Sequence, residues 1–463
     1  MESLRLNAFT GAPPASSEVH ADYGRWAGKK IGAPDEILRG PPPLEDLSAW
    51  KHPDVGWGLV LPDDPALDPA AKATAADAPE PIQRLLAHRE GVVLRWSEEL
   101  SATKVRRYFE DGSAQDPHIV LSERGNAKGR VPRYLLLYGA PTVLPWDLQF
   151  RLNASAYVGR LDLEGDALRR YVDAVVAGWD GQAADASRAV TWAVDHGGDD
   201  ITRLMRTVVA KKVHGRFAED DAMTATFVDG RNAEATGQVL IDALADQRPG
   251  MIVTTSHGRT GPLDDVDAMR ASLGVPVDGS FQDLDRDALL DRWRPDGAIW
   301  YAHACCSAGA DGSSGYEGLV DEGSQAAQVL EGVAACGAMV APLPRLLLGA
   351  ERPLRAFLGH VEPTFDWTLK DQSTGQVLTN TLADALYNRL YQPFPLGRAF
   401  EVVHDKAPQL EIARNSAIRK AKREADPVTR EAHLHEALTC RLVAQDLQSL
   451  VLLGDPAEMP HLG

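Results

Sequence analysis

Cysteine is scarce in this sequence, with four residues in a chain of 463. Small extracellular proteins that depend on disulfides use many more, and none of the four has the Cys-x-x-Cys spacing of structural zinc sites. The phosphate-binding glycine patterns of nucleotide-binding proteins are missing as well. The sequence therefore favours a reduced, cytoplasmic protein with small core cysteines, and no metal or other cofactor is expected.

Long apolar runs are also missing. The longest, such as GAIWYAHACC, have the length of a strand, whereas a membrane-spanning helix needs about 20 apolar residues. The N-terminus lacks the basic segment and apolar run of a signal peptide. A net charge of −18 disfavours nucleic acids and anionic membranes as partners, and it would attract a basic peptide segment instead.

The sequence does contain a repeated alternation of apolar strands and amphipathic helices, which is clearest from residue 133 onward. One example is the helical pattern TGQVLIDALADQRPG, which leads into the β-branched run MIVTTSHG. This alternation predicts an α/β fold with a mostly parallel sheet and helices on both faces. Three parts are predicted: an N-terminal arm with a small α/β subdomain (1–130), a main domain (131–395) and a helical C-terminal extension (396–463).

Two of the predicted strands end in residues with catalytic potential. MIVTTSHG places His257 before Gly258, and AIWYAHACCSAG places Cys305 and Cys306 before a glycine-rich loop. The single helix between these strands predicts that they are neighbours through a right-handed crossover, with both ends at one crevice. A thiol and an imidazole placed there suit nucleophilic catalysis, and the N–H groups of Gly258 and Cys306 are candidates for an oxyanion hole.

These motifs resemble those of the clan of caspase-like cysteine peptidases, which includes caspases, metacaspases, gingipains, separases and CHAT peptidases. The histidine of TTSHG precedes the second cysteine of ACCSAG by 49 positions, and caspases have a spacing of about 50. The segment RYLLLYGAPTVLPWDLQFRLNASAYVGRL is similar to a gingipain pattern, and LVLLGDPA is similar to the ending of several clan members. The resemblance covers roughly residues 130–457.

The resemblance implies a bacterial-type cysteine endopeptidase with a caspase-like sheet and a Cys-His dyad. Its substrates would be proteins or peptides, and an upstream protease or a ligand would activate a zymogen. Family context adds a role in stress or antiviral defence. The motifs carry no information on oligomeric state. Two alternatives stay open: an inactive caspase-like binding scaffold, and another thiol acyl-transfer enzyme.

Comparison with the clan selects Cys306 as the expected nucleophile. The run from Cys306 to Gly309 is in register with metacaspase and CHAT motifs, in which a glycine stands three positions after the nucleophile. Alternation along a strand then directs Cys305 to the opposite face.

Metacaspases carry an acidic residue two positions before the nucleophile, where it binds a basic substrate residue, and this chain has Ala304 there. If cleavage follows Arg or Lys, the acid must come from elsewhere. Asp147, at the acidic position of the gingipain-like segment, is the first candidate, and Asp311 and Glu317 are the others. A role for Asp147 in a turn or cap is an equal alternative.

Overall fold

One large sheet dominates the computed structural model, which describes residues 3–11, 16–21, 23–28, 45–101, 103–231, 234–372 and 374–460. Its ten strands in chain order are β1 (Trp57–Pro62), β2 (Val92–Trp96), β3 (Tyr134–Tyr138), β4 (Tyr157–Leu161), β5 (Asp185–Ala193), β6 (Thr224–Asp229), β7 (Pro249–Thr255), β8 (Ile299–His303), β9 (Ala356–His360) and β10 (Leu450–Leu453). Their spatial order is β6-β5-β7-β8-β9-β10-β4-β3-β1-β2. Every neighbouring pair is parallel except β9 and β10, which confirms the prediction of an α/β fold with a mostly parallel sheet.

Strands from all three predicted parts of the chain belong to this one sheet. β1 and β2 come from residues 1–130, and β10, from the predicted helical extension, lies in the middle of the sheet between β9 and β4. Close backbone packing fixes β10 there, because a Cβ atom on Gly159 of β4 would lie 2.0 Å from the carbonyl oxygen of Gly454. Only glycine fits at that position.

Helices connect the strands and cover the sheet. The α-helices span Tyr23–Gly28, Pro69–Thr74, Glu80–His88, Trp146–Asn153, Gly165–Val176, Ile201–Met205, Lys211–Ala218, Gly237–Gln247, Val266–Ser272, Arg286–Arg292, Gln325–Ala335, Pro342–Leu348, Asn380–Asp384, Leu396–Ala399, Glu401–His404, Lys406–Arg423 and Pro427–Ser449. Arg206–Ala210 and Ala385–Arg389 are π-helical, and Asp366–Thr368 is a 3₁₀ turn. Within the described ranges, no helix combines the length and apolar character that crossing a membrane requires.

Both faces of the central strands are buried. On β7, Met251 and Val253 contribute to one apolar cluster, which includes Phe217 of the helix Lys211–Ala218. Ile252 points to the other face and joins a second cluster with Leu240 and other helical residues. Such double burial explains why the strand reads as a continuous apolar run rather than an alternating one.

The helix Gly237–Gln247 leads directly into β7. Its N-terminus is capped by Thr236, whose hydroxyl accepts a hydrogen bond from the N–H of Val239 at 3.3 Å. It ends at Arg248, which has a left-handed φ of 45° and so reverses the chain directly before the strand. β7 then runs to Thr255, and its continuation carries His257.

Candidate active site

Strands β7 and β8 bring the two predicted motifs together. They are parallel neighbours, with Thr255 opposite His303 at their carboxyl ends, as predicted. The connection between them contains two helices, Val266–Ser272 and Arg286–Arg292, rather than the predicted one. Just beyond the strand ends, Gly258 packs directly on the backbone of Cys305, because a Cβ atom on Gly258 would lie 2.0 Å from the Cys305 carbonyl oxygen. The segment that carries His257 and Gly258 is therefore in contact with the loop that carries Cys305 and Cys306.

Both ring nitrogens of His257 have partners. Nε2 lies 3.0 Å from Oδ2 of Asp200, and Nδ1 lies 2.9 Å from Oδ1 of Asn7. Asp200 is itself fixed, because it caps the helix Ile201–Met205 and its Oδ1 accepts hydrogen bonds from the N–H and hydroxyl of Thr202 at 2.8 and 2.6 Å. The fully buried imidazole is thus held between a carboxylate and an amide.

The environment of Asp200 favours its charged form. Burial opposes ionisation, but the hydrogen bond and the charge interaction with His257, together with the hydrogen bonds from Thr202, lower the pKa of Asp200 from 3.8 to about 2. A carboxylate that stays ionised can fix the orientation of an imidazole and stabilise its protonated form.

The N-terminal segment covers His257. Ala8–Phe9 pairs in parallel with His257–Arg259, and the carbonyl oxygen of Phe9 accepts a hydrogen bond from Thr260 at 3.1 Å. The ring of Phe9 lies 6.2 Å from that of His257 and is inclined by 22°. One edge of the site is therefore occupied by the chain's own residues, added as a short extra strand.

Cys306 is buried, and its backbone N–H already has a hydrogen-bond partner. Its N–H donates to the carbonyl oxygen of Glu362 at 3.0 Å, so the expected oxyanion donor is already occupied. Burial, with smaller contributions from Cys305, Glu362 and Cys336, raises the pKa of the Cys306 thiol well above its usual value. Its φ of 55° lies in the left-handed region that residues other than glycine rarely adopt.

The thiol of Cys305 is linked to the surroundings of His257. Its Sγ accepts a hydrogen bond from the N–H of Thr364 at 3.2 Å, and the carbonyl oxygen of Thr364 accepts one from the N–H of Asn7 at 3.0 Å. Asn7 in turn contacts His257. Cys305 lies in a buried apolar cluster, as expected, but Cys306 belongs to the same cluster, whereas alternation along the strand predicted opposite faces. Burial also raises the pKa of the Cys305 thiol.

The three predicted pocket residues differ in their surroundings. Asp147 is exposed near the start of the helix Trp146–Asn153, where it pairs with Arg151 at 2.7 Å. Asp311 is partly buried, and its pKa is raised mainly by burial and further by the charge of Asp147. Glu317 is exposed on the loop after Cys306.

Glu362 adds an acid that the sequence analysis missed. It is buried, and burial raises its pKa to about 7. One of its carboxylate oxygens accepts a hydrogen bond from the N–H of Gly315 at 2.8 Å, while its backbone oxygen holds Cys306. It therefore joins the loop that carries Cys306 to the strand end of β9.

Comparisons with known proteins give no assignment for this chain. No protein-family model, curated protein or solved structure matches it. Its chemistry has to be inferred from the geometry of the site.

Of the two partners of His257, only Asp200 is marked by a pattern in the sequence. Asp200 precedes an apolar segment in GGDDIT, and an aspartate in that place is typical of a helix N-cap. Asn7 has no local pattern that marks it, since it reaches His257 across 250 positions of the chain.

The pairing of Asp200 with His257 predicts a pH-dependent contribution to stability. Because the pKa of Asp200 is lowered in the folded state, its stabilisation is complete above the unfolded value of 3.8 and is lost as the pH falls toward about 2. We expect Asp200→Asn to destabilise the protein at about pH 6, with the difference shrinking through this acid range. Urea-unfolding midpoints measured across that range would test it.

The neighbouring Asp199, which is exposed, provides the control. Asp199→Asn should track the unmodified protein at every pH. A gap between Asp200→Asn and the unmodified protein that stays constant down to about pH 2 would contradict an ionised, paired Asp200.

Proposed function

We propose that this chain is a caspase-like cysteine peptidase that cleaves peptide bonds through Cys306 and His257. The observation that carries the proposal is the junction beyond β7 and β8, where Gly258, the residue after His257, packs on the backbone of Cys305, while the imidazole of His257 has a carboxylate partner. The order of the motifs, histidine strand before cysteine strand, and the mostly parallel sheet support it. Metal-free thiol chemistry needs no group beyond these side chains.

The proposed reaction uses His257 as base and then as acid. The imidazole accepts the thiol proton, and the thiolate attacks the peptide carbonyl. The C–N bond breaks, the amine leaves with the proton from His257, and a thioester to the cysteine remains. Water, deprotonated by His257, then hydrolyses the thioester and regenerates the thiol. Asp200 acts as a positioning residue that holds the imidazole.

Cys306 is the proposed nucleophile for two reasons. Its register with the clan motif is one, and its left-handed φ of 55° is the other, since strained backbone of this kind clusters at functional sites. Cys305 is a second candidate because its thiol has the contacts that lead through Thr364 and Asn7 to His257.

The described arrangement corresponds, in this proposal, to a resting zymogen. Both thiols are fully buried, both nitrogens of His257 are occupied, and the N–H of Cys306 is bound to Glu362. Activation would have to displace the N-terminal strand and free these groups. Proteolysis or ligand binding at the N-terminal segment would do so.

The acidic side chains beside the nucleophile loop support a preference for Arg or Lys before the cleaved bond. With an activated form of the protein, fluorogenic peptides with Arg or Lys at that position should give kcat/KM values at least about tenfold above those with Asp, as for substrates separated by one charge contact of about 1.4 kcal/mol. Asp147→Asn and Asp311→Asn together should lower turnover of the Arg peptide. Turnover of a matched Ala peptide, which serves as the control, should not change.

A faster reaction with Asp peptides would overturn this preference. Failure to cleave any peptide, combined with turnover of small amides, would favour the alternative of another thiol acyl-transfer enzyme. A thiol that an iodoacetamide probe never labels, even after activation, would favour the inactive scaffold.

A further inference from the structure

A second cluster of ligating atoms meets at His257. Nδ1 of His196, the carboxylate of Asp200 and Nε2 of His257 all lie within 4.8 Å of one another. Their side chains are 3%, 7% and 0% exposed, so the cluster is almost fully removed from bulk water. Two imidazole nitrogens and one carboxylate oxygen form a donor set typical of zinc.

The hydrogen bond of His196 directs its lone pair into this cluster. Nε2 of His196 lies 3.0 Å from the carbonyl oxygen of Asp278, which can only accept, so Nε2 carries the proton. Nδ1 is then unprotonated, and within the described part of the chain it has no hydrogen-bond partner. Histidines that bind metals typically donate their other N–H to a carbonyl or carboxylate in this way.

The contacts of His257 also direct one of its ring nitrogens into the cluster. Nδ2 of Asn7 donates to the hydroxyl of Thr364 at 3.3 Å, which leaves Oδ1 of Asn7 to accept from Nδ1 of His257. A proton or a metal ion must then join Nε2 of His257 to the carboxylate of Asp200, which lies 3.0 Å away. A proton on Nε2 satisfies this pair alone, whereas a metal ion would also give the buried lone pair of His196 a partner.

We propose that His196, Asp200 and His257 bind a zinc ion. The two imidazole planes differ by only 12° and their centroids are 5.4 Å apart. Phe281 stacks on His196 at 4.0 Å and covers one face of that imidazole.

Zinc at this site would inhibit the enzyme, a consequence that rests on the proposed function. A neutral imidazole has a single lone pair, and zinc bound to Nε2 occupies it. His257 then keeps only the proton on Nδ1 and has no free site to accept the proton of a thiol. Where His257 is doubly protonated beforehand, zinc binding releases one proton to solvent.

The test is to titrate the full chain, stripped of metal, with zinc chloride. We expect one zinc per chain and a rise in melting temperature, and we expect His196→Ala to weaken binding at least about 100-fold, as loss of one of three protein ligands should. His214→Ala is the matched control: Nδ1 of this histidine also has no hydrogen-bond partner among the described residues, but the ring stacks on Phe227 elsewhere in the fold. It should leave binding unchanged.

The outcomes separate the two proposals. If His196→Ala binds zinc as tightly as the unmodified chain does, or if the unmodified chain binds none, the proposed zinc site is wrong. His257 would then hold only a proton. If the activated protein cleaves peptides, the unmodified chain should be inhibited by zinc and rescued by a chelator, and His196→Ala should keep its activity with zinc present. Zinc binding without any peptidase activity would keep the site and overturn the proposed function.

Discussion

Replacing Cys306 with alanine should reduce kcat/KM for peptide hydrolysis by about 10³-fold or more in the activated protein. Loss of the thiol removes the sulfur atom that forms the thioester, and no other group in the proposed reaction can take its place. Cys305→Ala should stay within about tenfold of the parent enzyme, because it removes a neighbouring contact but leaves the nucleophile. The measurement is turnover of an Arg peptide by the two variants side by side.

The neighbouring position of the two cysteines makes this pair of variants a matched control. Both thiols are fully buried, so each substitution removes a similar apolar volume and should cost a similar free energy of unfolding. Thermal unfolding of both variants would show whether a loss of activity reflects chemistry or a loss of fold.

The reverse result would also be informative. If Cys305→Ala is inactive and Cys306→Ala is active, the contact of Cys305 with Thr364 marks the nucleophile, and the register taken from the clan motif is wrong. If both variants stay active, neither thiol forms an acyl-enzyme, and the proposed chemistry fails.

The features that could be predicted from the sequence are those that depend on local patterns of apolar and polar residues. A buried parallel strand is apolar on both faces, so β7 and β8 are visible in the sequence as apolar runs. Their adjacency was predicted from the helical connection between them, although that connection holds two helices rather than one. The placement of His257 and the cysteines at neighbouring strand ends follows from this topology.

Features that depend on distant pairing were not predictable in the same way. β10 has only four residues, and nothing in LVLL indicates that it enters the middle of the sheet from the end of a long helix. The contact between Asn7 and His257 likewise depends on a two-residue strand, Ala8–Phe9, which is too short to give a periodic signal. The sequence therefore located His257 and the two cysteines, but not the N-terminal segment that covers His257.

Removing the N-terminal residues 1–9 should activate the protein, raising kcat/KM for peptides at least about tenfold, as expected when a tethered competitor at millimolar effective concentration is removed. The segment occupies the site as an added strand, with Ala8 paired to Gly258 and Leu6 bridging Phe365. Its loss frees Nδ1 of His257 and the backbone edge on which a peptide could bind in the same way. The variant should also melt at a lower temperature, because the buried side chains of Leu4, Leu6 and Phe9 are lost from the interior.

A synthetic peptide with the sequence LRLNAF, residues 4–9 of the chain, then provides the decisive measurement. If the segment covers the substrate site, the peptide should inhibit the truncated protein competitively and restore part of its melting temperature, whereas a scrambled peptide of the same composition should do neither. Stabilisation without inhibition would mean that the segment is only a structural strand and that substrates bind elsewhere. A truncated protein that stays folded but gains no activity would show that burial of the thiols, rather than the covering of His257, maintains the resting state.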